Sequence, residues 1–314
     1  MPSEEMKSAP AGMLRIPDAR FRMGSEHHYI EESPEHDADV TGFWIDRFPV
    51  TNEDYRRFVD ATGYVTLAER ELDPEQFIGA DPNTLVPGSL VFQQPDGPVD
   101  LRSLSLWWVW RPGAHWRQPQ GADSSVAGLT DHPVVHVAYE DALAYSVWAG
   151  KSLPTETEWE FASRGGLDGA VYTWGDEHEL ATIKANVWEG DFPWRSTKPH
   201  SPRTSPVGSY AANGYGLFDM TGNVWEWTQD RWWPKHQSED ATACCPPSQT
   251  RTFQSDERNA NHPDMHIPER VLKGGSHLCA PNYCLRYRPA ARIGQPVDSA
   301  TTHIGFRCVL RDAG

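Results

Sequence analysis

The sequence contains no apolar run approaching the roughly 18 residues that a membrane-spanning helix requires. Its first twelve residues, MPSEEMKSAPAG, are acidic and lack the apolar centre of a signal peptide. We therefore expect no membrane partner and interpret residues 1–12 as a disordered tail. The protein is predicted to be soluble and cytoplasmic.

Basic residues are too few for a nucleic-acid-binding surface. The chain has 28 Lys and Arg against 44 Asp and Glu, which gives a net charge of −16. Binding to a phosphate backbone requires clustered positive charge, so nucleic acid is excluded as a partner. The negative charge instead suits a substrate segment that carries a positive charge.

Cysteine is also scarce. There are five, an odd number, and two of them are adjacent, Cys244 and Cys245. This is a poor framework for disulfides and favours a reducing compartment, which again indicates the cytoplasm.

Tryptophan and turn-forming residues, by contrast, are abundant. Fourteen Trp supply apolar surface for a sizeable core, and 25 Gly and 26 Pro predict many turns between short elements. No repeat and no change in composition marks a linker. We predict one loop-rich α+β domain over residues 13–314 with little regular secondary structure and a polar surface insertion at residues 237–268. Strands are predicted in FRMGSE, DVTGFWIDRFPV, VLKGGSHL and HIGFRCVL.

Three short helices are predicted from capping signals and apolar spacing. The first begins at the cap Thr51 and the third at a capping box formed by Thr155 and Glu158; a glycine ends each of them. The second covers residues 139–149. The residues expected to face inward are Tyr55, Phe58, Val59, Leu143, Val147, Trp148, Trp159 and Ala162.

The densest group of reactive side chains lies in GGSHLCAPNYCLRYRPAAR, residues 274–292. It contains Cys279 and Cys284 in a C-x4-C spacing, with Ser276 and Tyr283 beside them. Two thiolates without a second pair of ligands suit a soft metal that accepts a low coordination number. Cu(I) is the natural candidate.

Other interpretations of this cysteine pair stay open at this point. A disulfide is disfavoured by a reducing compartment. Zinc could bind with His277 and a distant fourth ligand, although structural zinc sites normally show two ligand pairs. Both cysteines could be buried apolar residues without chemistry. Arg286 and Arg288 favour reactivity, because positive potential lowers the pKa of a thiol.

Six segments together resemble the formylglycine-generating enzymes of the sulfatase-modifying-factor family. They are FRMGS, RFPVTNEDYRRFVDATGY, HPVVHVAYEDALAYSVWAGKSLPTETEWEFASRGG, NGYGLFDMTGNVWEWTQD, VLKGGSHLCAPNYCLRYRPAAR and IGFRC. The match runs from about Phe21 to Cys308 in the family's order and spacing. It implies a C-type-lectin-like α+β fold, and it places Cys279 and Cys284 where these enzymes keep their copper ligands.

The resemblance implies a copper-dependent oxidase that converts a cysteine into Cα-formylglycine. Its substrate would be a sulfatase-type protein with a Cys-x-Pro-x-Arg motif, and it would use O2 and an external thiol reductant. Cu(I) would lie linearly between the two thiolates until the substrate cysteine joins as a third ligand. Dioxygen reacts slowly with closed-shell molecules, so the reaction needs a one-electron metal.

The resemblance also implies roles for three further residues. Ser276 and Trp225 match positions that line the family's oxygen pocket, and Tyr283 matches its active-site tyrosine. The alternatives are a turn hydroxyl, a core indole and a core phenol, respectively.

Membership of this superfamily would not by itself establish catalysis, because it also contains non-catalytic paralogues. A lectin-like peptide-binding paralogue would bind a cysteine peptide and consume no oxygen. A zinc-stabilised structural protein would contain zinc and no reactive Cu(I). The cysteine pair favours the enzyme over both alternatives.

The segment DMTGNVWE matches one of the family's calcium sites. The expected ligands are the carboxylates of Asp219 and Glu226 and the carbonyl groups of Gly222 and Val224, because Ca²⁺ prefers an irregular turn that presents only oxygens. The alternative is a hydrogen-bonded loop with a buried Asp. A second family site would begin at Asn186, but no carboxylate follows it in RSTKPHSPRTSPVG.

Substrate-binding residues are also implied. Trp107 matches a residue near the peptide groove, although a core position is equally compatible, and His303 lies where the family often has an Asn near the substrate. In the family an acidic residue meets the substrate arginine. The resemblance places that position at Gly88 of this chain, which has no carboxylate. Recognition of that arginine is therefore expected to differ, with Glu69 or Glu71 as substitutes.

Overall fold

The computed structural model describes residues 9–72, 85–198, 203–236 and 267–312. Within these ranges the chain forms 13 short strands and 4 α-helices, of which the longest has 11 residues. Irregular segments connect them, so the prediction of a loop-rich α+β domain is confirmed. Most of the predicted tail and of the predicted insertion, with Cys244 and Cys245, lies outside the described residues.

The strands are distributed over the whole described part of the chain. In chain order they are β1 (Met13–Ile16), β2 (Ala19–Met23), β3 (His36–Val40), β4 (Phe43–Asp46), β5 (Gly88–Phe92), β6 (Trp108–Pro112), β7 (Gly190–Asp191), β8 (Arg195–Ser196), β9 (Trp225–Arg231), β10 (Glu269–Lys273), β11 (Arg292–Pro296), β12 (Ile304–Gly305) and β13 (Val309–Arg311).

Two sheets form the framework. The smaller has the order β1-β4-β13 and is antiparallel, and its last strand comes from the predicted strand segment HIGFRCVL near the carboxyl terminus. The larger has the order β11-β10-β9-β12, in which only β9 and β12 are parallel. The pairs β2-β3, β5-β6 and β7-β8 are separate two-stranded ribbons. Parallel pairing of β12 with β9 places His303, which lies just before β12, beside Trp225. The backbone N–H of Trp225 donates to the His303 carbonyl group.

The helices are α1 (Asn52–Thr62), α2 (Tyr139–Trp148), α3 (Glu156–Arg164) and α4 (Ala181–Lys184). The predicted caps of α1 and α3 are confirmed: the hydroxyl groups of Thr51 and Thr155 each accept a hydrogen bond from the N–H three residues later. Both helices end at a left-handed glycine. None of the helices in the described ranges is long and apolar enough to cross a bilayer.

The predicted inward face of α2 is wrong. Leu143, Val147 and Trp148 are 38%, 69% and 42% exposed, whereas Asp141 and Tyr145 are buried. The Asp141 carboxylate accepts hydrogen bonds from backbone N–H groups at both Ala138 and Leu67. This polar anchoring orients the helix and outweighs the spacing of its apolar residues. By contrast, the residues predicted to face inward on α1 and α3 are buried.

Three apolar clusters form the core. The largest joins α1 and α2 to the larger sheet and includes Cys279 and Cys284. A second fills the space between α3 and the smaller sheet. The third contains Phe92, Trp107 and Phe192 and lies against the loop that carries the two cysteines. The cysteine pair is therefore held where two clusters meet.

Candidate active site

Cys279 and Cys284 lie in the connection between β10 and β11. The N–H of Cys279 donates to the Ser276 carbonyl group at 2.9 Å, and that of Cys284 donates to the Ala280 carbonyl group at 2.7 Å. The second bond closes one helix-like turn, so the C-x4-C spacing brings the side chains together. The two Sγ atoms are 3.4 Å apart. A disulfide bond measures about 2.05 Å, and both residues are free thiols here.

A glycine makes the close packing of this connection possible. Gly275 has φ 71°, and a Cβ atom there would lie 2.8 Å from the Arg286 carbonyl oxygen. Only glycine fits such a contact without displacing the backbone. The approach holds Ser276 beside the thiols, where its N–H donates to Cys279 Sγ at 3.4 Å.

A cavity of about 190 Å³ lies over the two sulfurs. We call it the thiol cavity. Cys279 and Cys284 are buried, whereas Tyr283 is 37% exposed and stands at its rim. The seven residues predicted for catalysis, copper binding or substrate binding all line it: Trp107, Trp225, Ser276, Cys279, Tyr283, Cys284 and His303. The structure thus brings these residues to one place, while their individual roles stay predictions.

Aromatic rings form the wall of the thiol cavity. Tyr283 stacks on Phe192 with ring centroids 4.4 Å apart, and Trp107 meets Phe192 edge-on at 5.8 Å. The His303 ring lies 4.8 Å from Trp108. Phe192 and Trp108 were not predicted, because each occurs in an aromatic-rich segment without a motif that marks it as functional. This wall limits the access of water to the sulfurs.

The cysteine pair is not electrically neutral. Burial raises the pKa of Cys279, whereas the hydrogen bond from Cys279 and the positive charge of Arg286 lower the pKa of Cys284 to about 6. These opposite shifts favour a pair that holds one proton, with the Cys279 thiol donating to the Cys284 thiolate. This arrangement provides one thiolate ligand before any metal binds.

Arg286 is held in place by an early segment of the chain. Its Nη2 lies 2.5 Å from Glu31 Oε1, and its guanidinium lies 3.8 Å above the Tyr29 ring. Arg288, which was predicted to act on the thiols in the same way, instead forms a buried ion pair with Glu32. Of the two arginines, Arg286 is the one that lines the thiol cavity.

The donor set fits a soft metal of low coordination number. Two buried sulfurs, one already a thiolate, are the ligands that Cu(I) prefers. In the described ranges no three side chains of His, Cys, Asp or Glu converge as a metal site. The His277 Nδ1 atom is hydrogen-bonded to the Asn223 carbonyl group at 2.8 Å. Since structural zinc needs four ligands, this geometry favours Cu(I) over zinc.

The predicted calcium segment is organised differently from an open oxygen cage. Both Glu226 oxygens are bound by Arg307, at 2.7 Å each, and one also accepts from the Trp159 indole N–H. The Asp219 carboxylate accepts from the Gly208 N–H at 2.8 Å. These residues do not fit a calcium ion as arranged here, because Glu226 would have to exchange Arg307 for it. Calcium binding at Asp219, Gly222, Val224 and Glu226 stays a prediction.

A lysine stands where the second calcium site of the family would begin. Lys198 Nζ donates to Asn186 Oδ1 at 2.7 Å. Burial lowers the pKa of this ammonium group. The ammonium group of Lys198 thus occupies the side-chain oxygen of Asn186.

The residues considered for arginine recognition are also fixed in the structure. A Cβ atom at Gly88 would lie 2.5 Å from the Arg111 carbonyl oxygen, so no acidic side chain fits there without a shift. Glu69 faces Arg117 and His115 at 3.3 and 3.5 Å. Glu71 is exposed. Of the two predicted substitutes, Glu69 therefore already has a cationic partner, Arg117.

The fold and the buried thiol pair define a class. Residues 1–312 match the model of the sulfatase-modifying factor enzyme 1-like domain, and the chain belongs to this family. It is 51% identical over 300 residues to a formylglycine-generating enzyme from Mycobacterium tuberculosis, covering 95% of this chain and 97% of the relative.

The chain is also similar to a relative named inactive and to a solved structure of the same fold. The chain is 36% identical to a Bos taurus protein named inactive C-alpha-formylglycine-generating enzyme 2, covering 94% of this chain and 87% of that one. The solved structure of PvdO from Pseudomonas aeruginosa has a TM-score of 0.61 at 20% identity, covering 96% of this chain and 94% of that chain. At this identity the second likeness shows the fold alone.

Proposed function

We propose that this protein oxidises a cysteine of a sulfatase-type protein to Cα-formylglycine, with Cu(I) held by Cys279 and Cys284. The observation that carries the proposal is the buried sulfur pair, 3.4 Å apart beneath a cavity of about 190 Å³. A cavity of this size accepts one small side chain. Similarity to the Mycobacterium tuberculosis enzyme supports the same reaction.

The reaction balances with O2 and an external thiol reductant. Conversion of the substrate thiol-bearing methylene group to an aldehyde and hydrogen sulfide consumes one water and releases two electrons. Oxidation of two reductant thiols to a disulfide supplies two more, so O2 is reduced to two waters. Bound copper supplies the one-electron reactivity toward O2 that amino-acid side chains lack.

The protein's own residues prepare the site. Cys279 and Cys284 would hold the metal as two thiolates, so the proton on Cys279 would be lost when the metal is bound. The wall of Trp107 and Phe192 excludes water. Ser276 and Trp225 border the space above the sulfurs, and Tyr283 stands at the rim where a peptide enters.

His303 is suited to hydrogen bonding and not to acid catalysis. Burial lowers its pKa to about 3, and its Nδ1 lies 2.6 Å from Thr301 Oγ1. We infer that the neutral imidazole contacts the substrate peptide beside its cysteine, whereas Trp107, only 1% exposed, supports the wall behind it. Such a contact positions the peptide without changing its charge.

A non-catalytic peptide-binding protein is the second candidate, since a relative named inactive shares 36% identity. A binding module has no need of two buried thiols that share one proton. The cysteine pair is therefore the feature that favours the enzyme. We also propose a cytoplasmic location, because free thiols at 279, 284 and 308 persist in reducing surroundings.

Mass spectrometry of a substrate peptide tests the proposal. A peptide with Cys-x-Pro-x-Arg is incubated in air with the Cu(I)-loaded protein and a thiol reductant, and the product is examined for loss of the thiol and gain of an aldehyde. Zinc-loaded protein and anaerobic samples are the controls. Binding of the peptide without aldehyde formation under any of these conditions would favour the binding module.

A further inference from the structure

A second cavity, of about 460 Å³, adjoins the thiol cavity. The two share a wall. Phe92 lines the larger cavity, and its ring packs at 6.1 Å against that of Trp108, which lines the smaller one. Thr302 lines the larger cavity and its chain neighbour His303 the smaller. We call the larger space the amide cavity, after the Gln93, Gln94 and Gln120 side chains in its lining.

The charge of the amide cavity is opposite to that of the chain. The chain has a net charge of −16, yet no Asp or Glu is among the described residues that line this cavity. Arg203 is part of the lining, and no described carboxylate lies within ion-pair distance of its guanidinium. Gln120 and Ser124 contribute neutral hydrogen-bonding groups. The cavity is therefore suited to a ligand with polar groups and one negative charge.

We propose that the amide cavity is a subsite for the substrate segment next to the target cysteine and that it prefers an acidic side chain there. This inference rests on the proposed function. Arg203 is the counter-charge. A peptide with its cysteine in the thiol cavity reaches the adjoining space within a few residues, since an extended chain advances about 3.3 Å per residue.

A charge scan of the substrate tests the preference. Peptides carry Glu or Lys in turn at each of the four positions before the cysteine and at the two variable positions of the motif after it, and kcat/KM is compared by mass spectrometry. At one position the wild type should prefer Glu to Lys by roughly tenfold, the effect of one partly screened charge pair. Arg203→Glu should reverse that preference at the same position. Arg20→Glu, an exposed arginine on β2, is the matched control and should leave it unchanged.

Binding measurements separate this inference from the proposed reaction. The same peptides with Ser in place of the target Cys are titrated by calorimetry, which needs no turnover. A Glu preference in binding that Arg203→Glu reverses supports the subsite even if no peptide is oxidised. Oxidation of all peptides with equal efficiency, independent of Arg203, overturns the subsite and leaves the function intact.

Discussion

Glu31 and Arg286 form an ion pair, with 2.5 Å between Oε1 and Nη2, across 255 positions of the chain. The pair holds the guanidinium beside Cys284, and the positive charge contributes to a pKa of about 6 for that thiol. A segment near the amino terminus thus contributes, through Arg286, to the lowered pKa of Cys284. The local sequence around the cysteines contains nothing that specifies this contact.

Arg286 should therefore determine the pH dependence of alkylation at Cys284. In metal-free protein the reactive form is the thiolate, so the iodoacetamide rate at this residue should be half-maximal near pH 6. Arg286→Ala should raise that midpoint, and Glu31→Gln should raise it less, since Arg286 then stays charged but is held less firmly. Site-resolved mass spectrometry across pH 5 to 9 measures the rates. An unchanged midpoint in Arg286→Ala, with Arg20→Ala as control, would contradict this assignment.

Cys279 and Cys284 should act as one unit in catalysis. A two-sulfur Cu(I) site has no spare ligand, so Cys279→Ser and Cys284→Ser should each abolish nearly all aldehyde formation. The double variant should be hardly worse, because residues that act together are strongly non-additive. X-ray absorption of the Cu(I) protein should show two sulfur scatterers, with a third when substrate is added.

Cys308 provides the matched control for that experiment. It is a buried free thiol that does not line the thiol cavity. Cys308→Ser should keep its activity per folded molecule, apart from a loss of stability caused by the buried hydroxyl group. Thermal melts establish that the inactive variants are folded. Turnover at the wild-type rate in folded Cys284→Ser would refute the copper mechanism.

Local signals in the sequence predicted local structure well. The threonine caps of α1 and α3 satisfy backbone N–H groups within four residues, and the C-x4-C spacing corresponds to one closed turn. The motifs that resemble the family also placed residues such as Trp107 and His303 at one cavity. In each case the information lies within one segment or within a motif shared by the family.

Contacts between distant segments could not be predicted in this way. The face that α2 buries is determined by hydrogen bonds between Asp141 and a turn more than 70 residues away. Phe192 reaches Tyr283 from an irregular segment 91 positions earlier, without periodicity to mark it. The amide cavity combines Gln94, Gln120 and Arg203, none of which belongs to a recognisable motif. Such features depend on the tertiary arrangement.

In this arrangement the Glu226 carboxylate cannot bind both Arg307 and a calcium ion. EDTA and added Ca²⁺ should therefore leave the Tm unchanged. Glu226→Gln should lower the free energy of unfolding by about 3–5 kcal/mol, because it leaves Arg307 buried without its partner. Urea denaturation measures that loss. A Tm that falls with EDTA and recovers with Ca²⁺ would instead establish the predicted calcium site, since an ion that binds only the folded state stabilises it. Asp219→Asn should then abolish the recovery.

The substrate arginine should contribute less to recognition than a paired charge normally does. Gly88 has no room for a carboxylate, and Glu69 is engaged by Arg117 and His115. Replacement of the substrate arginine by alanine should therefore cost less than the roughly 1–3 kcal/mol typical of a hydrogen bond to a charged group. The ratio of kcat/KM values for the two peptides measures the loss.

Glu71→Gln tests the remaining substitute. If Glu71 meets the arginine through water, the variant removes even the small preference for arginine over alanine. A loss much larger than this range that persists in Glu71→Gln and in Glu69→Gln would mean that another carboxylate binds the arginine, and that the position of its subsite at Gly88 is wrong.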